Sequence, residues 1–453
     1  MSKNQQLGKL RHLLMQGPQK TAAILAALDI SQPTFSRLWS TASDGFVIGA
    51  ARARSYALLR QVAGVDTPIP VFRVTEQGQI ESIGNIDPLQ GAYYALTGKS
   101  SQLFQGMPYF LSDLRPQGFL GRMEPGKNPD LDLPADILRW TDEHVLKYIA
   151  RRSEHAAGDL ILGNESYARY LSDTGRIHAS VIPESQRQAL YPAMAENAMQ
   201  GEPPGSSAGG EQPKFTAIVQ RDTQSAETEN IEHVIVKFSP PVDTTNGGRR
   251  WADLLICEHL ALEILAHNQI AAAKTALIEA GGRVFLEVLR FDRVGLKGRR
   301  PMATFAAMDG DLGMMDQKWT AVARELARMG QLSATDVETV EILDLYGTLI
   351  GNTDKHHGNI ALAWTFEQRH HLLPAYDMLP MFYRPNAHGE IVPRTWVANL
   401  AAGLELRHLP RCYDMAHQFW TAVLNDSRIS QAYKDEVAEP HLKTLSTLNN
   451  QRE

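Results

Sequence analysis

Cys257 and Cys412 are the two cysteines in 453 residues. So few, so far apart, exclude a disulfide framework and a cysteine-built zinc site. No uncharged apolar run approaches the ~20 residues that span a bilayer. Met1-Ser-Lys-Asn-Gln-Gln lacks the charged-then-apolar build of a secretory leader. A soluble, cytoplasmic protein with no membrane association is therefore expected. A complete P-loop is missing too: Gly98-Lys99-Ser100 has its tail, but Tyr93 stands where that motif needs glycine. What is present is ordinary globular composition, 43% hydrophobic and 8% aromatic. At this length two to four domains are expected.

The net charge of −6 is unevenly spread, with +6 on residues 1–61 and −12 on the remainder. A small basic head on an acidic body suggests that the head meets a polyanion. Lys9–Gln16 and Thr21–Leu28 read as short helices, and Asp29-Ile30 as a turn. Ser31 is an N-cap type, and Pro33 suits the first turn of a third helix whose Phe35, Leu38 and Trp39 face inward. Gln32, Thr34, Ser36 and Arg37 then face outward, the residue types that meet bases and phosphates in a major groove. Gly45–Tyr56 reads as a hairpin wing that places Arg52 and Arg54 for phosphate. A winged helix-turn-helix over 1–62 is the expectation, with DNA as its partner. A helical docking or dimerisation bundle is the alternative. Paired half-sites make a homodimer plausible for such a head.

Further on, Pro68–Ile86 alternates like a strand pair around Gln77-Gly-Gln, with Val71, Val74, Ile80 and Ile83 inward. Ile137–Arg152 reads as an amphipathic helix. Gly205–Lys214 is small and glycine-rich, and Gly209-Gly210 leads into an apolar strand, so its amides could approach phosphate closely. On composition alone the same stretch could be a linker. His233-Val-Ile-Val-Lys237-Phe238 is a strand ending in a lysine, and the helix after it carries Asp253 and Glu258, either of which could pair with Lys237. The strand Val284–Arg293 would serve as a hinge, and helices would fill Asp336–Ile350, Arg407–Leu424 and Ser430–Leu448.

Between them lies Gly351-Asn-Thr-Asp354-Lys-His-His-Gly-Asn359, with Tyr376-Asp377 seventeen residues later. An Asp, an Asn five positions on and a second Asp beyond a hairpin are the polar groups of a protein-kinase-type site. The first orients an attacking hydroxyl and accepts its proton. The other two offer the hard oxygens that suit magnesium. Asp and Asn also cap turns, so the spacing gains weight from the loop, strand and helix upstream.

Ser207-Ala-Gly-Gly-Glu-Gln-Pro-Lys214, Arg290-Phe-Asp-Arg293, Asn352–Asn359 and Tyr376-Asp377 resemble motifs of the HipA-like serine/threonine kinases of bacterial toxin–antitoxin systems. Phe110–Arg122 resembles a stretch of that family's N-terminal region, and the likeness runs over roughly 65–440. The resemblance implies an α+β, bilobal protein-kinase-like fold, with an N-terminal lobe over 63–293 and a helical lobe over 294–453. It implies ATP and Mg2+, Asp354 as catalytic base, and Asn359 and Asp377 as metal ligands. Gly209, Gly210, Gln212, Lys214 and Lys237 would hold phosphates, and Leu289, Arg290 and Phe291 adenine; His356, His357 and Tyr376 are counted with the nucleotide set. Leu289 stands where the family's hinge usually has Glu. Ser207 would be an autophosphorylation site, with Ser206 beside it carrying the same hydroxyl. Phosphate there would repel the nucleotide's own charge.

The implied substrate is a protein, by analogy a translation factor such as an aminoacyl-tRNA synthetase. The usual kinase is repressed by a separate DNA-binding antitoxin, whereas this chain has its own basic head and resembles a fused variant. Two other readings stand beside this one: a ligand-sensing pseudokinase that regulates transcription, and a metal-dependent nuclease built on Asp354, His356, His357, Asn359 and Asp377.

Overall fold

The computed structural model describes residues 3–50, 53–99, 101–173, 179–200, 212–222, 230–243, 246–367, 369–386, 388–397, 400 and 405–450. The chain divides into two compact units. One is drawn from Met1–Thr75, Gln79–Arg115 and Asn128–Thr174, the other from Glu76–Gly78, Pro116–Lys127 and Gly175–Glu453.

The first unit opens with helices α1 (Lys3–Met15), α2 (Thr21–Leu28) and α3 (Gln32–Trp39) and strands β1 (Gln19–Lys20), β2 (Gly45–Ile48) and β3 (Ser55–Leu58). The strands form a sheet in the order β1-β3-β2. α1 begins six residues before the expected Lys9. Leu10, Leu14, Ile24, Leu28, Phe35, Leu38, Tyr56 and Leu58 form one core, and the Tyr56 ring meets Phe35 and Trp39 edge-on at 4.8 and 4.9 Å. Ser31 has the extended backbone of an N-cap, but its Oγ bonds Thr34 Oγ1 at 3.0 Å instead of a helix amide. Gln32, Ser36, Arg37 and Arg54 are exposed and Thr34 is half-buried; Arg52 lies outside the described residues. Arg11 is paired with Asp44, and Arg60 with Glu143 and Tyr94.

Strands β4 (Ile69–Val74), β5 (Ile80–Leu89), β6 (Tyr93–Gly98), β7 (Gln102–Gln105) and β8 (Leu160–Leu162) form an antiparallel sheet in the order β7-β6-β5-β4-β8. The β4–β5 hairpin turns at Gln77-Gly78-Gln79 as its sequence suggests, and Val71, Val74 and Ile83 are buried with Ile80 partly so. Leu89 and Ala95 of this sheet share a cluster with Ile48 and Ala57 of the head hairpin, which explains why both fall in one unit. The expected block 63–293 is therefore divided, most of it up to Thr174 clustering with the head. The expected helix 137–152 is also interrupted. Trp140 is extended, and α4 (Asp142–Arg152) starts afresh behind a Thr141–His144 capping box, a strong local start signal. α5 (Asn164–Ser172) follows β8.

In the second unit β9 (Val181–Pro183), β10 (Lys214–Gln220), β11 (Ile231–Phe238), β12 (Thr275–Ala280) and β13 (Arg283–Leu289) form a sheet in the order β12-β13-β11-β10-β9. All pairs are antiparallel except β9–β10. Helix α6 (Arg187–Gln200) lays Tyr191 and Ala195 on Phe215, Val234, Val236, Phe238 and Phe285 of one sheet face. Side chains alternate along a strand, so Lys237, between Val236 and Phe238, points to the opposite face. Helix α7 (Asn246–His267) packs on β11, β12 and β13.

Helices α8 (Phe305–Leu312), α9 (Trp319–Arg328), α10 (Ala334–Leu349), α11 (Leu409–Asn425) and α12 (Glu439–Asn450) make up most of the rest. The expected helix 430–448 carries a π turn at Lys434–Ala438 just before Pro440, which has no N–H to continue the ordinary ladder. Among the described residues no helix is long and apolar enough to cross a membrane.

His441 of α12 is sandwiched between Trp396 at 3.9 Å and Trp420 at 4.2 Å between ring centroids. Its Nε2–H donates to Leu349 O at 2.9 Å, so Nδ1 accepts from the Tyr383 hydroxyl at 2.8 Å. Burial pulls its pKa down to about 3, and that of His370 to about 4. Below the ordinary histidine pKa of about 6.5 the unfolded chain binds protons that the fold refuses. Stability should therefore fall as pH drops from about 6.5 toward 4. In denaturant titrations over that range, His441→Phe should show a shallower slope, by up to about 1.4 kcal/mol per pH unit. An unchanged slope would mean that His441 is not held neutral.

Candidate functional site

Lys237 is buried to 5% exposure at the end of β11, and Glu258 of α7 is wholly buried opposite it. The ammonium donates to both Glu258 oxygens, at 2.6 and 2.7 Å, and to Asp377 Oδ1. Burial alone would lower the Lys237 pKa, but the Asp377 and Glu258 carboxylates outweigh it and hold the lysine charged. Burial likewise works against ionising Asp377, yet Lys237 and the nearby Lys214 bring its pKa below the usual carboxylate range. Glu258, fully out of water, is pushed up. The sequence left Asp253 and Glu258 as alternatives; Asp253 instead caps Ser430, accepting from its amide at 2.9 Å and its hydroxyl at 2.6 Å.

The loop carrying Asp354 leaves α10 through Gly351, whose φ of +81° favours glycine. Asn352, buried at 4%, then joins the two aspartates. Its Oδ1 accepts from the Asp354 amide at 2.9 Å, and its Nδ2 donates to Asp377 O at 3.3 Å. Asp377 itself has a φ of +54°, a conformation that Asp tolerates better than most residues and that this bond helps to hold. Asn359 Nδ2 donates to Asp354 O at 2.8 Å. The Tyr376 hydroxyl donates to Gly358 O at 2.7 Å, and its ring lies 5.7 Å from that of Phe291. Asp354, Asn359, Tyr376 and Asp377 thus belong to one hydrogen-bonded loop pair, and Asn352, quoted in the motif but given no role, is its link. Among the described residues the Asp354 carboxylate, Asn359 Oδ1 and Asp377 Oδ2 make no hydrogen bond or ion pair.

The paired histidines separate. His356 is exposed, and its Nδ1 accepts from the Gly358 amide at 3.0 Å. His357 is buried, with Nε2–H donating to Gln317 O at 2.9 Å, and is turned away from that role. Lys214 sits directly across the β10–β11 pair from Lys237, and Gln212 Nε2 donates to Phe238 O at 3.3 Å. Leu289 ends β13; its amide bonds Lys274 O and that of Arg290 bonds His233 O, so neither donor is open to adenine. The Arg290 guanidinium is spent on Asp292, at 3.0 and 2.8 Å. Ser207, Gly209 and Gly210 lie outside the described residues.

Residues 206–439 match the HipA-like C-terminal domain, and 65–171 match the YjjJ-like toxin middle domain. Toxin YjjJ of Escherichia coli (strain K12) is 36% identical over 437 residues, 94% of this chain and 95% of that one. The chain belongs to the HipA-like toxin family. Among solved structures, the HipA–HipB–operator DNA complex of Shewanella oneidensis MR-1 aligns at 14% identity over 84% of this chain and 97% of that one, with a TM-score of 0.48. The proinflammatory kinase CtkA of Helicobacter pylori aligns at 15% over 55% and 96%, with a TM-score of 0.31. Both scores are below 0.5, so the assignment rests on the sequence matches.

For this family member the donor set suits a small hard cation: one carboxylate oxygen of Asp377 and one amide oxygen of Asn359. Magnesium is usually bound by one or two carboxylates plus phosphate and water. Among the described residues no three His, Cys, Asp or Glu side chains form a metal cluster of their own.

Removing the Lys237 ammonium would leave Glu258 and Asp377 facing each other with little water, so that one must take up a proton. In the wild type, the stability Asp377 draws from Lys237 is full above the unfolded pKa of about 3.9 and is lost as pH falls through the lower folded value. In Lys237→Met the sign reverses, because the shared proton is bound more tightly when folded. The stability deficit of Lys237→Met should be greatest near pH 8 and shrink toward pH 4 in denaturant unfolding. A deficit independent of pH would show that the two acids do not share that ammonium.

Proposed function

We propose that this chain is an ATP- and magnesium-dependent serine/threonine protein kinase that restrains growth, with a DNA-binding winged helix-turn-helix at its N-terminus. The observation that carries the kinase reading is the convergence of Lys237, Glu258 and Asp377 beside the Asn352-linked Asp354 loop. Asp354, with its carboxylate unengaged, orients the substrate hydroxyl and takes its proton. Lys237 and Lys214 place positive charge along the phosphates, with His356 at the rim, and Glu258 keeps Lys237 extended toward them. Asn359 and Asp377 would hold Mg2+, which when bound neutralises charge on the transferring phosphoryl group. Phe291 of the hinge and Tyr376 beside Asp377 offer an aromatic floor for adenine. In the unliganded chain Lys237 occupies Asp377 Oδ1, so Asp377 would offer Mg2+ its other oxygen.

Two features weigh against a nuclease: the histidines diverge, and a nuclease has no use for the buried Lys237–Glu258 pair. A pseudokinase regulator is disfavoured because Lys237, Asp354, Asn359 and Asp377 are all retained. The substrate would be a protein, a translation factor by family analogy, and a separate antitoxin is a further candidate partner. With radiolabelled ATP and magnesium, the wild type should label itself or lysate proteins, with mass spectrometry placing phosphate on Ser207. Asp354→Ala should lose on the order of 100-fold or more of that labelling. Equal labelling of both would remove Asp354 from its role, and none in either would remove the kinase.

The DNA reading rests on the exposed Gln32, Ser36, Arg37 and Arg54 on a basic head. Affinity for duplex DNA should fall steeply between 50 and 200 mM salt. It should drop about tenfold or more when Arg37, Arg52 and Arg54 are neutralised together. Binding indifferent to salt would point to protein docking by the head.

A further inference from the structure

A lysine directly after the catalytic aspartate is well placed along the chain to meet phosphate. Lys355 turns the other way. Its Nζ donates to Asp344 Oδ1 at 2.6 Å, to Asp344 O at 2.6 Å and to Thr348 Oγ1 at 2.7 Å. An ammonium has three donors, and all three are taken by acceptors on α10. Asp344 is in turn fixed from α9, accepting from Thr320 Oγ1 at 3.1 Å. The path inward exists because α10 carries Gly347: a Cβ there would stand 2.9 Å from Lys355 Cδ and 3.3 Å from Met378 Cε. The side chain is 17% exposed, and the Asp344 carboxylate it meets is 2% exposed.

Asp354 is thus gripped on both sides. Asn352 holds its amide from one direction, and Lys355 pins the next residue to α10 from the other. With Asn352 turned to Asp377 O and Lys355 to α10, the Asp354 carboxylate between them makes no hydrogen bond or ion pair among the described residues. We infer that Lys355 is a positioning residue that aims Asp354 at the acceptor hydroxyl and is not a nucleotide ligand. This rests on the kinase reading. It adds Asp344, Thr348 and Gly347 to the parts on which the phosphotransfer rate depends, although none faces the nucleotide.

The test compares initial self-labelling rates at varied ATP with Mg-ADP affinity by calorimetry, in the full-length protein. Lys355→Met should lower the limiting rate about tenfold or more. Its apparent KM for ATP and its Kd for Mg-ADP should stay within about twofold of wild type, since no phosphate contact is lost. Asp344→Leu should behave alike, and the double variant should be no slower than the worse single, because both break one contact. Thr348→Val removes one acceptor while leaving the ion pair, and should show an intermediate rate at unchanged Kd; it also serves if Lys355→Met does not fold. A tenfold weaker Kd for Mg-ADP in Lys355→Met but not in Asp344→Leu would overturn the inference, placing Lys355 on phosphate. So would unchanged limiting rates. If the wild type neither labels itself nor binds Mg-ADP, the kinase reading fails and this inference falls with it.

Discussion

One buried ammonium organises the second unit. Lys237 has left water with Glu258 and Asp377 on either side, and without it the two acids could not both stay ionised. The three residues come from a strand, a helix and a loop, so their contact fixes the sheet against α7 and against the segment after Tyr376. Buried ion pairs are weak evidence for stability, because desolvation cancels much of the attraction. What this one supplies is geometry. It fixes one oxygen of Asp377 and leaves the other free.

The rest of the site is built from backbone bonds that radiate from that point. Asn352 ties Asp377 to Asp354, Asn359 returns to Asp354, and Tyr376 reaches Gly358. These side chains are therefore linked through one another's backbone. Behind them, Leu349 at the end of α10 is held by His441, which lies just past the residues matched by the family model. The loop is thus anchored at its root by an aromatic stack and along its length by amide bonds.

Part of this arrangement was legible in the sequence, and which part was so has a physical basis. Asp354, Asn359, Asp377 and Lys237 could be singled out because a kinase-type site would need those side chains at that spacing, and the structure brings them together. Asn352, which serves backbone groups, leaves no such trace. Asp253 and Glu258 could not be separated because both lie on one helix; five residues put them about 140° apart around it, so one faces the lysine and the other Ser430. Arg290 was misleading for a related reason, since a charged residue in a hinge motif can serve its neighbour Asp292 as readily as a ligand. The break at Trp140 was missed because apolar periodicity continues through it, whereas the capping box at Thr141 is a local signal that could have been read. The grouping of residues 63–174 with the head depended on contacts between Ile48, Ala57, Leu89 and Ala95, which no local pattern encodes.

That shared core has a mechanical corollary. Phe46 and Ile48 of the β2–β3 hairpin lean on Leu89, Tyr93, Ala95 and Leu103, and Gly91 comes so near Gln16 that a methyl group there would sit 2.5 Å from the carbonyl oxygen. The segment expected as a separate domain over 1–62 instead shares a core with the sheet behind it. Cutting the chain after residue 62 would strip an apolar surface from both pieces, and whatever grips the outward helix also grips the five-stranded sheet.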